Sequence, residues 1–580
     1  MTPLIAGLLQ PAAYPHQAPS PRLIETHISW VILAGEYAYK LKKPLDLGFL
    51  DFSTLDKRRA CCEAEIRLNR RLAPDIYLDV VPVTGSETSP RFGGDGPALE
   101  WAVQMRAFPA DAPLDREADV TAEQIDAIAD RLAAFHGDID VAPADSGFGA
   151  PDKVMAPVAA NFAHLRSFLP SPPGGGAGGE GATPAHYGPA DSLSPTLPRG
   201  GRENFIPLLH RLEAWSRAEG ERLAGHFTAR QAGGFIRECH GDLHLGNIAW
   251  IPEVLPPLEK PPFGDKGDGG GFSTTLLSES GEIPPNPPFP KGGMKHPGRP
   301  LIFDAIEFNP DLRFIDVINE IAFLTMDLRH RGRDDLAWRC LNRYLEHTGD
   351  YPGLAALPYY QVYRAMVRAK VAAILAAQHG GDLSACREYL DLADRLVHDR
   401  RPALILMHGV SGSGKTWYSQ KLLEGLGAVR LRSDVERKRL FGLAPHESSA
   451  AVPGGIYTRA AGERTLARLL ELARGLLAAG FPVIVDATFL KRDWRDPFAA
   501  LAGELALPWF IAAAEADPAV LRERVARRQH EGRDASEAGL EVLEAQLASR
   551  EPFADHERPH VLSLNPGLET AMSSLRAALP

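Results

Sequence analysis

Eight consecutive residues in the last third of the chain have the types and spacing of a phosphate-binding loop. The stretch Gly409-Val-Ser-Gly-Ser-Gly-Lys-Thr416 fits GxxxxGK[ST] at every fixed position and lies between an apolar strand and a predicted helix. Glycines in such a loop let backbone N–H groups wrap phosphate oxygens, and the helix N-terminus adds the positive end of its dipole. Lys415 is expected to reach the β- and γ-phosphates of ATP, and the Thr416 hydroxyl to ligate Mg²⁺. The predicted phosphate-contacting residues are Gly409, Ser411, Gly412, Ser413, Gly414, Lys415 and Thr416.

Further polar side chains follow predicted strands of the same region. The run FPVIVDATF is a buried strand ending in Asp486, which is expected to contribute a carboxylate to the magnesium site. The alternative is an aspartate that caps the next segment. In LRSDVER, Asp434 is expected to accept the proton of an acceptor hydroxyl, and Arg437 to hold the acceptor. The alternative there is a helix N-cap at Ser433 or Asp434.

A basic helix and loop, LRERVARRQHEGR, comes later in the chain. Its arginines predict a mobile lid over the phosphates, and the alternative is an ordinary solvated charged face. Arg524 and Arg528 are the predicted phosphate contacts, with Arg527 and Arg533 as further candidates.

A second constellation stands in the N-terminal half, in the string HGDLHLGN. Asp242 and Asn247 are five residues apart, so the string resembles the HRDxxxxN catalytic loop of protein kinases. The resemblance implies that Asp242 accepts the proton of the attacking hydroxyl and that Asn247 ligates a metal. The second metal-binding carboxylate is predicted to be Asp304, at the end of the short apolar strand in LIFDAIEF. The sequence therefore predicts that these three residues converge on one magnesium site despite their separation along the chain.

Upstream, Lys40 resembles the VAIK lysine of protein kinases, which holds the α- and β-phosphates of ATP. Strand alternation favours Lys40 in Tyr-Ala-Tyr-Lys, with Lys42 and Lys43 as rivals. Glu63 or Glu65, on the helix that follows, could pair with the lysine. A surface salt bridge is the alternative for either glutamate.

Two tracts rich in Pro and Gly, about 170–201 and about 252–300, interrupt the N-terminal half. Neither can bury a core, so both are predicted to be disordered surface loops. They share similar phrases, SPTLPRGG and NPPFPKGG, which indicates sequence inserted into a pre-existing fold. Two independent Pro-rich linkers are the alternative. Removing the second tract leaves a hairpin that pairs 248–251 with 301–303.

The remaining pattern defines the elements that must position these residues. Residues 28–43 are predicted to form a hairpin around Ala34-Gly-Glu, and Thr121-Ala-Glu-Gln124 to form a capping box. The helix behind that box places Ile125, Ile128, Leu132 and Phe135 on one face. Residues 314–399 are mostly helical in pattern. From residue 401 strands and helices alternate, which predicts an α/β domain with a parallel sheet.

These motifs resemble those of two kinase groups. The C-terminal 180 or so residues resemble small P-loop kinases of the gluconate-kinase, zeta-toxin and polynucleotide 5′-kinase type, through GVSGSGKT, SDVER, VIVDAT and the Arg-rich lid. Residues 20–395 resemble the aminoglycoside phosphotransferase and choline-kinase branch of the protein-kinase fold, except that no Gly-rich GxGxxG loop is present. The whole chain resembles a bacterial fusion of the two.

The resemblance implies two domains. Residues 1–398 would form an α+β protein-kinase-like domain, and residues 399–580 an α/β P-loop NTPase (AAA-like ATP-binding) domain. It implies a bifunctional phosphotransferase in which each domain moves the ATP γ-phosphoryl group to a hydroxyl of a small molecule, with ATP and Mg²⁺ as cofactors. The alternative is a nucleotide or polynucleotide 5′-hydroxyl kinase whose N-terminal domain is a non-catalytic nucleotide-binding regulatory module.

Composition narrows the class of protein. The 580 residues are 44% hydrophobic and 24% charged, typical of a globular protein, and the net charge of −11 disfavours nucleic acid as a partner, although the C-terminal domain keeps that option. Five scattered cysteines without a CxxC indicate neither disulfides nor a zinc site. No run of apolar residues is long enough for a membrane span, and no secretory signal opens the chain. The expectation is a cytoplasmic enzyme acting on small molecules.

Overall fold

The structure is a computed structural model. It describes residues 1–48, 50–168, 205–253, 298–379, 381–450, 452–531, 539–565 and 567–579. Most of the two predicted Pro/Gly-rich tracts, together with Arg533, lies outside the described residues, as do the side chains of 528–531. The second tract is shorter than predicted, since strands extend to Pro252 and resume at Gly298.

The described chain divides into two compact units. One comprises Met1–Ala127 and Glu238–Phe314, and the other Ile128–Arg237 and Ile315–Pro580. The second unit therefore contains both a set of helices from the middle of the chain and the C-terminal parallel sheet. The predicted domain boundary at 398/399 stays a prediction.

The first unit is built on an antiparallel sheet of six strands, in the order β1-β2-β3-β6-β4-β5. The strands are β1 Arg22–Glu25, β2 Ser29–Ala34, β3 Tyr37–Lys42, β4 Tyr77–Ser86, β5 Ser89–Phe92 and β6 Glu100–Arg106. The predicted hairpin is confirmed, because β2 and β3 pair from Ser29 opposite Lys42 to Ala34 opposite Tyr37. Its turn packs against the N-terminal segment, since a Cβ on Gly35 would stand 2.7 Å from the Gln17 carbonyl oxygen.

Helices α1 (Pro3–Leu8) and α2 (Leu55–Asn69) accompany this sheet, and α2 begins where the Thr54 hydroxyl accepts a hydrogen bond from the Lys57 amide at 3.3 Å. The helix α3, Ala122–Asp138, begins at the predicted capping box. Thr121 Oγ1 accepts from Gln124 N at 3.2 Å, and Gln124 Oε1 accepts from Thr121 N at 2.8 Å.

The predicted apolar face of α3 is also confirmed. Its members are buried: Ile125, Ile128, Leu132 and Phe135. Two short strands follow later in the chain, β7 (Ile236–Glu238) and β10 (Phe314–Asp316). The strands β8 (Ile248–Pro252) and β9 (Gly298–Ile302) form the predicted second hairpin, with Ile248 opposite Ile302.

The helices of the second unit come from the middle of the chain. They are α4 Pro151–Phe168, α5 Phe205–Ala232, α6 Val317–His330, α7 Asp334–Thr348, α8 Leu357–His379 and α9 Ser384–His398. The predicted mostly helical character of residues 314–399 is confirmed.

The same unit contains a five-stranded, fully parallel sheet in the order β12-β13-β11-β14-β15. Its strands are β11 Leu404–His408, β12 Val429–Arg432, β13 Val483–Asp486, β14 Trp509–Ala513 and β15 Val561–Ser563. Its helices are α10 Lys415–Leu426, α11 Ser433–Leu440, α12 Arg459–Ala478, α13 Arg492–Glu504, α14 Pro518–Glu531, α15 Leu540–Ser549 and α16 Leu568–Ala578. The predicted parallel α/β architecture is confirmed, and ligands of such sheets bind at the carboxyl ends of the strands.

Among the helices described, none combines the length and apolar character needed to cross a membrane. The five cysteines are free thiols, as the sequence predicts.

Candidate functional site

The loop between β11 and α10 curls at its glycines. Gly412 and Gly414 adopt φ angles of 83° and 92°, in the left-handed region that residues with a Cβ rarely enter. Gly414 is the N-cap of α10, which begins at Lys415. Lys415 Nζ folds back over the loop and donates to the Val410 carbonyl oxygen at 2.9 Å. The loop therefore presents a lysine charge and a helix N-terminus to the same point, as phosphate binding requires.

A cavity of about 420 Å³ opens at this loop. The predicted residues that line it are Ser411, Gly412, Gly414, Lys415, Thr416, Asp434, Arg437, Asp486, Arg524 and Arg527. Gly409 and Ser413 lie on the loop behind the lining, where a Cβ on Gly409 would come within 2.6 Å of Ser413 Oγ. The structure thus brings the strand-end candidates and the loop around one space.

Several residues that line the cavity were not predicted from the sequence to belong to the site. They are Trp417, Arg432, Tyr457, Trp494, Val542 and Gln546. Gln546 Oε1 accepts from the Ser411 amide at 2.7 Å, so α15 holds one amide of the loop. Trp417 is 57% exposed near the start of α10. Its position directly after the GKT of the motif is the sequence signal that could have marked it.

Asp434 lies on the first turn of α11 and Arg437 on the last turn, and both line the cavity. Arg437 Nη1 donates to Asp434 Oδ1 at 3.3 Å, and the guanidinium lies 4.9 Å from the centroid of the Tyr457 ring. Among the described residues, Arg437 Nε is a buried donor without a hydrogen-bond partner. Arg437 itself lines the cavity, so its guanidinium lies where a ligand would bind.

Asp486 ends β13 inside the cavity and is 6% exposed. Its Oδ2 accepts from Ser419 Oγ at 3.0 Å. Thr416 also lines the cavity. A carboxylate and a hydroxyl are the hard oxygen ligands that Mg²⁺ prefers, and the remaining positions are normally taken by water and phosphate. The donor set therefore fits a magnesium ion.

Helix α14 packs on the loop. Arg524 Nη1 donates to the Gly412 carbonyl oxygen at 3.3 Å, and a Cβ on Gly412 would stand 3.0 Å from the Leu521 carbonyl oxygen. Arg527 also lines the cavity. The predicted contact by the Arg528 side chain lies outside the described residues.

The N-terminal constellation assembles within the first unit. Asn247 Nδ2 donates to Asp242 Oδ2 at 3.1 Å, and the Asn247 carbonyl oxygen accepts from Phe303 N at 3.0 Å. The hairpin of β8 and β9 therefore brings Asp304 next to Asn247. Asp304 has a φ of 66°, and its amide donates to Tyr77 Oη at 3.1 Å. The carboxylate and amide oxygens of these residues are a donor set that also fits a magnesium ion.

The structure distinguishes the rival lysines. Lys40 Nζ donates to Glu65 Oε1 at 2.8 Å and contacts the Asp304 carboxylate. Burial opposes the charged form of Lys40, yet the carboxylates of Asp304 and Glu65 outweigh it and raise the pKa of Lys40 well above its usual range. Lys42 is fully buried between Glu65 and Glu307.

Lys43 and Glu63 have other partners. Lys43 Nζ donates to the Thr26 carbonyl oxygen at 2.6 Å, and Glu63 pairs with Arg59 at 2.8 Å. Glu65, not Glu63, is therefore the glutamate that contacts Lys40.

The base of the phosphate-binding loop carries a buried histidine. His408 is 0% exposed, and neither ring nitrogen has a hydrogen-bond partner among the described residues. Burial, reinforced by Arg550, Arg495 and Lys415, lowers the pKa of His408 to about 3. The folded protein therefore keeps this ring neutral in mild acid, while the unfolded chain protonates it.

Replacing His408 with leucine is expected to reduce the acid sensitivity of the fold. Below pH 6.5 the unfolded state binds a proton that the folded state does not, so the free energy of unfolding decreases as the pH decreases. At pH 5 the wild-type protein has lost about 2 kcal/mol of stability through this histidine. Urea denaturation of wild type and His408→Leu at pH 7 and pH 5 measures the difference. His556→Leu, at a half-exposed histidine, is the control. Equal pH dependence in wild type and His408→Leu would refute the assignment.

Comparisons with known proteins agree with this picture in part. Residues 404–553 match the AAA domain family, which confirms the predicted P-loop domain in the C-terminal part. Uncharacterized proteins of Mycobacterium bovis and Mycobacterium tuberculosis are 27% identical to this chain over 547 residues, covering 92% of this chain and 91% of theirs.

Solved structures resemble separate parts of the chain. A gluconokinase from Sinorhizobium meliloti is 23% identical, covers 31% of this chain and 92% of its own, and has a TM-score of 0.23. The APS kinase of Mycobacterium tuberculosis is 16% identical over 31% of this chain and 98% of its own, with a TM-score of 0.24. A Plasmodium vivax ethanolamine kinase is 10% identical over 65% of this chain and 81% of its own, with a TM-score of 0.33. Because these scores lie below 0.5, the C-terminal fold assignment rests on the strand order, the phosphate-binding loop and the family match.

Proposed function

We propose that the C-terminal site is an ATP-dependent kinase that transfers the γ-phosphoryl group to a hydroxyl of a small molecule. The observation that carries the proposal is the single cavity around which Lys415, Thr416 and Asp486 lie together with Asp434 and Arg437. The first three suit the phosphates and magnesium, and the last two suit an acceptor. An enzyme that only hydrolyses ATP has no need of the second pair.

Each side chain has a defined task in this proposal. Lys415 and the loop amides hold the phosphates and offset the charge that develops on the transferred group. Magnesium, held by Thr416 and Asp486, would neutralise phosphate charge. Asp434 Oδ atoms accept the proton of the attacking hydroxyl, and Arg437 keeps the carboxylate oriented through its 3.3 Å hydrogen bond.

The small molecule that receives the phosphoryl group is expected to carry an atom that accepts a hydrogen bond from Arg437. The Arg437 guanidinium lines the cavity against the Tyr457 ring, which supports an anionic or carbonyl group on the acceptor. A nucleotide or polynucleotide 5′-hydroxyl remains the alternative acceptor, and the net charge of −11 weighs against a long nucleic acid.

We propose further that the N-terminal cluster is a second phosphotransferase site of the protein-kinase-like type, in a domain spanning residues 1–398. The supporting observation is that Asp242, Asn247 and Asp304 lie together while Lys40 pairs with Glu65. A proton acceptor, two metal-ligand candidates and a phosphate-binding lysine are the parts such a site needs. The alternative is a regulatory nucleotide-binding module, and the absence of a Gly-rich GxGxxG motif from the sequence favours it.

One labelling experiment tests both sites. The full-length protein is incubated with γ-labelled ATP, Mg²⁺ and a metabolite extract, and labelled products are separated. Asp434→Asn is expected to remove one set of products and Asp242→Asn another, each by about 100-fold or more, because a general base contributes about 10²–10⁴-fold.

The outcome separates the proposals. Products that survive Asp434→Asn unchanged contradict the C-terminal transfer. A product pattern that Asp242→Asn leaves intact contradicts the N-terminal transfer and favours the regulatory module. Labelled oligonucleotides as the main product would replace the small-molecule acceptor with a 5′-hydroxyl end.

A further inference from the structure

Helix α7 covers the open edge of the parallel sheet that carries the P-loop site. Strand β12 is the edge strand, so one row of its backbone groups has no partner within the sheet. Asn342 of α7 supplies one: its Oδ1 accepts from Arg430 N at 2.7 Å, and its Nδ2 donates to the Ala428 carbonyl oxygen at 2.9 Å. A helix from outside the α/β fold is thereby hydrogen-bonded to the sheet.

One turn further along α7, Glu346 lies between two arginines of β12. Its Oε1 accepts from Arg430 Nη2 at 2.6 Å and from Nε at 3.1 Å, and its Oε2 accepts from Arg432 Nη1 at 3.3 Å. Glu346 is 4% exposed. Burial disfavours its charge, but the two arginines prevail and lower the pKa of Glu346 to about 2. At neutral pH it is an ionised carboxylate that fixes both guanidinium groups.

Arg430 carries this contact to the magnesium-binding candidate Asp486. Its Nη1 donates to Ser419 Oγ at 3.2 Å. Because Ser419 Oγ accepts this hydrogen bond, its own hydroxyl proton is available to donate. Two acceptors are within hydrogen-bond distance of Oγ: Asp486 Oδ2 at 3.0 Å and the Thr416 carbonyl oxygen at 3.1 Å. The carboxylate is the stronger acceptor because it is charged. The hydrogen bonds run without a break through Glu346, Arg430, Ser419 and Asp486, a series called here the Glu346 chain.

We propose that Glu346 is a positioning residue for the P-loop site, acting through Arg430 and Ser419 to hold Asp486 in its metal-binding orientation. The inference rests on the proposed function, because it assigns Asp486 to magnesium. It makes helix α7, which belongs to the helical part of the chain, a component of the P-loop site.

The charges explain why a glutamate is needed. Arg430 is 5% exposed, and its guanidinium is a cation. With Glu346 in place, that charge is satisfied on the side away from the cavity. Without it, the guanidinium is a buried charge lacking its counter-ion, and the Asp486 carboxylate, which is linked to Arg430 through Ser419, is an alternative partner. Arg430 would then compete with the metal for Asp486.

The test measures metal-dependent nucleotide binding, so that no acceptor is required. Full-length protein is titrated with Mg²⁺ in the presence of a fluorescent ATP analogue, and only the binding that Lys415→Met abolishes is counted. Glu346→Gln is expected to raise the Mg²⁺ concentration for half-maximal binding about 10-fold, the effect typical of residues that orient a metal ligand. Glu424→Gln is the control. Glu424 of α10 pairs with Arg339 of α7 at 2.9 Å, so it also joins α7 to the α/β fold, but it is not part of the Glu346 chain. Its midpoint is expected to stay within 2-fold.

A second background makes the test specific to the Glu346 chain. In Arg430→Met protein, Glu346→Gln is expected to add nothing further, because the residue through which it acts is gone. The inference is overturned if Glu346→Gln raises the Mg²⁺ midpoint equally in the wild-type and Arg430→Met backgrounds. It is also overturned if the effect of Glu346→Gln is no larger than that of Glu424→Gln. If Glu346→Gln does not fold, as circular dichroism would show, Glu346→Asp is used with the same criteria, since it keeps the charge but shortens the reach.

Failure of the inference and failure of the proposed function give different results. A wild-type protein that binds the analogue with Mg²⁺ but labels no acceptor contradicts only the proposed transfer. Binding that needs no Mg²⁺ contradicts the inference, which requires Asp486 to hold the metal, whereas acceptor labelling decides the proposed transfer. Acceptor labelling by wild type with unshifted Mg²⁺ midpoints in Glu346→Gln contradicts the inference alone.

Discussion

Replacing Lys415 with methionine is expected to lower kcat/KM for acceptor phosphorylation at the C-terminal site about 10³-fold, equivalent to about 4 kcal/mol of transition-state stabilisation. The side chain lies over the phosphate-binding loop, with Nζ 2.9 Å from the Val410 carbonyl oxygen. Methionine keeps most of the length and the apolar stem but removes the charge that offsets the transferred group. Initial rates of label transfer at several ATP concentrations measure the change.

The control for this variant lies two turns away on the same helix. Lys421 is 47% exposed and pairs with Glu424 at 3.2 Å, so Lys421→Met removes an equal charge from α10 without touching the loop. Its kcat/KM is expected to stay within about 2-fold, since exposed pairs contribute little. A Lys415→Met enzyme that retains a third of wild-type kcat/KM would rule out phosphate binding by the lysine as a catalytic factor. Activity that persists but disappears in Asp242→Asn belongs to the N-terminal site.

The largest effect on stability is expected from Arg495→Met in α13. Arg495 is 0% exposed and Glu557 1% exposed; they are joined by hydrogen bonds of 2.6 Å and 3.0 Å. Arg495 also donates to the Phe489 carbonyl oxygen at 3.0 Å, so it ties three segments of the α/β fold together. Its loss leaves Glu557 as an uncompensated buried charge, which costs about 3–5 kcal/mol of unfolding free energy. Urea denaturation followed by circular dichroism measures the loss.

A surface pair on the same helix provides the comparison. Arg492 is 55% exposed and pairs with Asp496 at 3.2 Å. Arg492→Met is expected to cost less than about 1 kcal/mol. In the double variant Arg495→Met/Glu557→Gln, part of the lost stability should return, because the orphaned charge is removed with its partner. Equal losses for Arg492→Met and Arg495→Met would show that the buried pair contributes no more than a surface one.

Features specified by neighbouring residues were predictable from the sequence. The loop from Gly409 to Thr416 is contiguous, and its glycines adopt the left-handed angles that its pattern implies. The capping box at Thr121 and the hairpin around Gly35 are equally local. Such features depend on a few consecutive φ and ψ angles and hydrogen bonds, so residue types alone determine them.

Contacts between residues far apart in the sequence were predictable for Asp304 but not for the lysine that it contacts. The place of Asp304 beside Asn247 follows from strand pairing across a long tract, which was predictable because closing a long loop costs little more than closing a short one. The choice among Lys40, Lys42 and Lys43 was harder. Strand alternation places Lys40 and Lys42 on the same face, and both contact Glu65. Only the position of Asp304, which contacts Lys40, separates them.

The sequence by itself determined the phosphate-binding loop, the parallel α/β architecture around it and the short elements that carry the candidate carboxylates. The tertiary structure alone decided which distant residues complete the site: Tyr457 against Arg437, Gln546 on the loop amide, and Glu346 behind Arg430. The physical reason is that these contacts join side chains far apart in the chain through packing of whole elements. Such packing leaves no spacing or periodicity in the sequence, whereas a backbone turn or a strand does.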